Sequence, residues 1–167
     1  KNWQAQGISP LVIAEFQREE WRQAAGQEWT NLKTPISLTS ASKPAQQEIL
    51  LWTNPYYPEH LKNTPCAPLF LYYMGDISLL SNPGVGVVGA RAASSDGLAA
   101  SSRTSFELSK SGVTVISGLA PGVDSEAHIA ALKGPGSTIA VLGCGLDIYY
   151  PKENATLHQN IAQQGLL

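Results

Sequence analysis

Charge is in short supply in this chain. Asp, Glu, Lys and Arg make up only 14% of its 167 residues, and the 11 basic residues do not outnumber the 13 acidic ones. A formal net charge of −2 lacks the basic excess by which electrostatics alone announces a nucleic-acid binder. Cysteine is scarcer still: Cys66 and Cys144 lie far apart, and neither belongs to a CxxC pair. That is a poor disulfide framework and points to a reducing compartment. No apolar run approaches the roughly 18 residues that span a bilayer, and no secretory signal is visible. A soluble cytoplasmic protein without membrane partners is therefore expected. The chain opens at Lys1 rather than methionine, so an N-terminal piece is expected to have been lost or trimmed.

What is present is apolar enough to fold: 43% of residues are hydrophobic, the opposite of a disordered composition. The length suits one domain plus an appendage. Ser9-Pro10 pairs a capping hydroxyl with proline at a first helical position, and a loose stripe of Leu11, Ile13 (or Val12), Phe16 and Trp21 follows towards Gly26. Residues 30–44 carry turn and linker chemistry, and a short helix is expected at about 45–52. Residues 1–54 thus read as a helical region with its linker, and 55–167 as the main domain. Prolines punctuate 55–83, and between them Leu69 to Met74 is an apolar, aromatic run of strand length.

From Val85 onward the pattern is regular. Val85–Val88 reads as a buried strand, followed by Gly89-Ala90-Arg91 and a helix through about 96–111. Val113–Ile116 is a second strand, with a glycine turn and a helix to about Lys133. Thr138–Leu142 is a third, followed by Gly143-Cys144-Gly145-Leu146-Asp147. A final helix starts after Asn154, read as its N-cap, and stops at Gly165. Three strand–turn–helix units in succession predict an α/β fold, with a Rossmann-like parallel sheet and flanking helices.

Ligands of such sheets bind at the carboxyl ends of the strands, and all three ends here carry glycine-rich turns. Glycine lets a ligand approach backbone N–H groups that a side chain would shield, and Arg91 adds a fork suited to phosphate. An anionic ligand is expected, although glycines also serve simply to make tight turns. Asp124 and His128 lie four apart on one helical face. Asp124 either caps its helix, or orders the glycine loop, or accepts a hydrogen bond from a sugar or base; His128 reads as a structural ring rather than a general base. Tyr149-Tyr150-Pro151 either stacks rings on bases or closes the loop over the core.

Several chemistries fail on their patterns. Gly84-Val85-Gly86-Val87-Val88-Gly89 matches G-x-G-x-x-G by letter, but it is the strand rather than the turn after one, and no acidic residue ends the second strand. No phosphate-binding G-x-x-x-x-G-K-[ST] occurs. Ser117 and Cys144 lack a nucleophile elbow or a paired base. Glu126 points off the face shared by Asp124 and His128, so the three make no metal site. No cofactor is expected.

The residues also carry a resemblance. Val87-Val88-Gly89-Ala90-Arg91, Ser117-Gly118-Leu119-Ala120-x-Gly122-Val123-Asp124-x-x-Ala127-His128, Thr138 to Asp147 and Tyr150-Pro151-x-x-Asn154 follow one another in the order of the DNA-processing protein A family (DprA, also called Smf). Tyr57-Pro58 and Pro68-Leu69-Phe70 fit its lead-in. The resemblance implies a non-catalytic Rossmann-like domain that binds single-stranded DNA without sequence preference. It also implies protection of incoming DNA in natural transformation, loading of the RecA recombinase, and a homodimer in the full-length protein. Its binding candidates are Gly89, Arg91, Ser117, Gly118 and Gly122, with Asp124 and His128 as loop-ordering residues. Departures are Ala90 where the family has serine, Pro121 where a basic residue is common, and Asp96-Gly97 for Tyr-Gly. The chain stops at Leu167, before the family's second half, so the domain is expected to be truncated on that side. The alternative is a nucleotide-processing hydrolase of the nucleoside monophosphate glycosidase type, but Gly134-Pro135-Gly136-Ser137 does not match the glycine-rich motif of those enzymes. A purely structural or partner-binding domain is the third reading.

Overall fold

A computed structural model of the chain describes residues 47–65 and 67–167. The helix expected from Ser9, the linker at 30–44 and Cys66 lie outside these. Two compact units divide the described chain: Ile49–Leu71, and Gln47, Glu48 with Tyr72–Leu167.

The shorter unit disagrees with the sequence expectation at one place. The short helix expected over 45–52 is instead a strand, β1 (Glu48–Leu51), which pairs with β2 (Phe70–Tyr73) in a two-stranded sheet. The partner decides: the backbone of the aromatic strand offers ladder bonds that a lone turn of helix cannot match, and local propensity yields to non-local pairing. A short helix α1 (Glu59–Lys62) sits between them. The Tyr57 side chain, fully buried, donates its hydroxyl to the Pro68 carbonyl at 2.6 Å and lies 5.5 Å from the Trp52 ring.

The longer unit is an α/β layer whose parallel sheet is ordered β3 (Gly84–Gly86), β4 (Thr114–Ser117), β5 (Thr138–Ala140). Val85 pairs with Val115, and Val115 with Thr138, which brings the three strand ends side by side. Beyond β5, Leu166 continues in parallel beside Ile139, and Gly75 bridges Leu166 in antiparallel sense. β3 is shorter than expected and not buried. No strand among the described residues pairs with its outer side, and Val85 is 40% exposed. Val115 packs against Ala127, Ala131, Val87 and Leu108, while Ile139 faces Leu79 and Leu166 across the sheet.

The helices are α2 (Ser95–Lys110), α3 (Val123–Ala131) and α4 (Ala155–Gln164). α2 buries serines rather than an apolar stripe: Ser101, Ser105 and Ser109 recur every fourth residue and face α3. Ser101 Oγ donates to the Val123 carbonyl at 2.9 Å, and Ser109 Oγ to the Ala131 carbonyl at 2.6 Å. The same offset at both ends holds the two helices parallel and in register. Ser105, between them, is buried with no partner for its hydroxyl among the described residues.

Candidate nucleic-acid interface

The three glycine turns meet at the carboxyl ends of β3, β4 and β5. The second turn is the brace of the group. Ser117 Oγ donates to the Val87 carbonyl at 2.7 Å, which ties β4 to the first turn. The Gly118 N–H donates to Asp124 Oδ2 at 3.1 Å, and the Leu119 N–H to His128 Nε2 at 3.3 Å. Gly122, not Asp124, occupies the N-cap position of α3, so the Asp124 carboxylate turns back on the loop instead of capping its own helix.

Because His128 Nε2 accepts, Nδ1 carries the proton and donates to Thr138 Oγ1 at 2.7 Å, whose hydroxyl in turn donates to the Val115 carbonyl at 2.7 Å. One neutral imidazole thereby joins the turn to both β5 and β4. Burial holds its pKa down to about 4, with the Asp124 charge pulling weakly the other way. Asn154 completes the brace. Expected as a helix cap, it makes no capping bond and instead donates to the Leu119 carbonyl at 2.9 Å and to Ser125 Oγ at 2.7 Å.

The first turn lies directly on this brace. Gly122 adopts φ +81°, and a Cβ there would stand 2.4 Å from the Ala90 carbonyl oxygen and 2.5 Å from that of Arg91. A Cβ on Gly89 would likewise run into Val123. These two glycines let two turns stack backbone against backbone, a role the sequence assigned to ligand approach. Above that contact Arg91 is exposed, and it forms no ion pair among the described residues.

The three turns differ in which of their donors are engaged. No bond among the described residues engages the N–H of Gly89, Ala90 or Arg91, or of Gly143, Cys144 or Gly145. The donors of the second turn's Ser117, Gly118 and Leu119 are all spent inside the protein. No bond among the described residues engages the N–H of Ala120 or Gly122 either, so the groups left open to an anion are those of the first and third turns and of these two residues between them.

A second cation was missed at sequence level. Lys152 is exposed on the 3-10 turn Lys152–Asn154, and Asn154 anchors that turn to the second loop. The signal lay in Asn154, whose side chain, read as a cap, carries Lys152 to the site. Apolar groups rim the same edge: Val88 is 76%, Val141 63% and Tyr150 59% exposed. The two tyrosines differ, for Tyr149 stands edge-on to the His158 ring at 4.9 Å while Tyr150 remains open. His158 is buried beneath it, and desolvation lowers its pKa.

Residues 48–167 match the family of DNA recombination-mediator protein A. The chain belongs to that family. Members similar to it include Protein Smf of Synechocystis sp., 36% identical over 99% of this chain and 42% of that protein. DNA processing protein DprA of Streptococcus pneumoniae is 43% identical over 66% of this chain and 39% of the relative. The crystal structure of the S. pneumoniae protein superposes with a TM-score of 0.68 at 38% identity, covering 73% of this chain and 43% of that one. A structure of DNA processing protein A from Helicobacter pylori, described for its single-stranded DNA binding mode, gives a TM-score of 0.66 at 34% identity over 72% of this chain and 54% of that one. The chain spans about two-fifths of the length of the curated relatives it matches (42% and 39%). Among the described residues, no helix is long and apolar enough to cross a membrane.

Proposed function

We propose that this chain binds single-stranded DNA without sequence preference, at the carboxyl ends of β3, β4 and β5. The observation that carries this reading is the distribution of open donors. Arg91 and Lys152 stand exposed on opposite sides of a braced loop, beside turn amides that no group among the described residues engages. Phosphates are the ligand such a set suits, and Tyr150, Val88 and Val141 give bases a sequence-tolerant surface on which to rest. Gly89 and Arg91 contact the strand, with Lys152 added; Ser117, Gly118 and Gly122 form the wall they rest on, held by Asp124 and His128. The DNA-binding mode described for the H. pylori relative supports the assignment.

Binding rather than catalysis is the activity. The hydroxyl, carboxylate and imidazole that would do chemistry are each committed to structural bonds. In the whole protein this reading extends to protection of incoming DNA, loading of RecA, a homodimer and a cytoplasmic location. Fluorescence anisotropy of labelled oligo(dT) across a salt series tests it. Each lost phosphate contact lowers the log–log salt slope by about 0.7 on a single strand, so Arg91→Ala and Lys152→Ala each reduce it by that amount. Unchanged slopes in both variants reject the site.

A further inference from the structure

Between Tyr72 and Leu167 the chain carries five lysines and arginines, and they fall in two places. Arg91 and Lys152 flank the strand-end site. Arg103, Lys110 and Lys133 stand on the outer face of α2 and α3, towards the opposite end of the sheet: Lys110 ends α2 just before β4, and Lys133 follows α3 on the way to β5. A shallow groove there is lined by Ala99, Ser102, Arg103 and Phe106 of α2 and by Ala130 and Lys133 across from them. The four α2 residues share one helical side, and Lys110 Nζ lies 5.9 Å over the Phe106 ring.

No carboxylate pairs with Arg103 or Lys133 among the described residues. The acid beside them, Glu107, meets Lys110 at 3.9 Å with both side chains more than 60% exposed, a solvated pair that cancels little of the local field. The negative end of the α2 dipole accounts for Lys110, but not for Arg103 in mid-helix or for an aromatic ring between cations.

We propose that this groove is a second single-strand subsite, which takes the sugar–phosphate backbone of the stretch leaving the strand-end site. The inference rests on the single-strand reading of that site. Arg91 stands just before Ser95, where α2 begins, and α2 then runs about 24 Å to Lys110. Arg103 and Lys110 are about 10 Å apart along the axis. Arg103 lies about 12 Å along the axis from Ser95, so Arg91, Arg103 and Lys110 follow one another along α2 with the Asp96 carboxylate between the first two, a line that a tracked backbone can follow. A shallow groove floored by small residues offers no deep pocket for the apolar anchor of an acidic peptide. The register bonds from Ser101 and Ser109 keep α2 and α3 parallel, so the line is rigid.

The test compares the chain with its Arg103→Ala/Lys110→Ala/Lys133→Ala form and with Arg91→Ala, using labelled oligo(dT) of about 6 and about 20 nucleotides over a salt series. All three substitutions are at exposed positions, and matching melting curves check the fold. The triple variant should bind the short oligonucleotide as the parent does and the long one about tenfold more weakly, with the salt slope lower by about 2. A long-oligonucleotide affinity and slope equal to the parent's, while Arg91→Ala lowers both, overturns the second subsite and leaves the first reading intact. Absence of binding by the parent at low salt overturns both. Polyglutamate that displaces the long strand from the parent as well as unlabelled oligo(dT) does would also overturn it, in favour of an acidic protein segment.

Discussion

At the residue scale, His128 and Ser105 are buried polar groups with opposite consequences. The unfolded His128 ring takes up a proton near its ordinary pKa of 6.5, whereas the folded ring resists until about pH 4. Its contribution is therefore fully present above about pH 6.5, is lost as the pH falls towards 4, and amounts to roughly 3 kcal/mol in all. His158, also lowered by burial, acts in the same direction. Urea unfolding of the parent and of His128→Asn at several pH values separates them: the parent should lose more stability on acidification than the variant, and equal losses contradict the account. Ser105 has the reverse sign. Its hydroxyl is desolvated without a partner among the described residues, so Ser105→Ala should leave stability unchanged or raise it by about 1 kcal/mol, read as a higher Tm. A clear loss would mean the hydroxyl has a partner.

At the element scale, the second turn behaves as one braced piece, and Gly122 is where that is most exposed to test. Alanine there meets both a left-handed φ and two carbonyl oxygens closer than 2.6 Å, so the first turn must move away. Gly122→Ala should cost about 2 kcal/mol or more and weaken oligonucleotide binding together with stability. Gly143→Ala, where a Cβ meets open space, should leave stability nearly unchanged. Most of this architecture was legible in the sequence, because β3, β4 and β5 are each punctuated by glycine and followed by a helix. β1 was not: Glu48–Leu51 has no local signal that outranks a helix, and its pairing with Phe70–Tyr73 joins residues some twenty apart along the chain. The candidate site was legible as a place but not in its division of labour. That Gly118 and Leu119 donate to Asp124 and His128, and that Asn154 reaches back to Leu119 instead of capping its helix, are tertiary bonds that no spacing rule encodes.

At the scale of the whole molecule, the proposed reading has a net negative chain hold a polyanion, and it rests on the placement of charge rather than on its total. Lys152 and Arg91 stand at the strand ends with the open amides, and no ion pair among the described residues neutralises them. Binding so built is dominated by a few phosphate contacts and should fall steeply with salt. Exchange of the Tyr150 ring for alanine, which leaves the charge untouched, should weaken binding by about tenfold while keeping the salt slope, since stacking contributes about 1–3 kcal/mol per base. A slope that changes with Tyr150→Ala would instead place the ring in support of a cation.

Whether the strand-end turns hold the phosphates of a single strand is read from the salt dependence of oligo(dT) binding in the parent and in Arg91→Ala. The parent should bind tightly at low salt with a linear log–log decline, and the variant should show a slope smaller by about 0.7 with an unaltered melting temperature. Equal affinity and equal slope in the two proteins would contradict it.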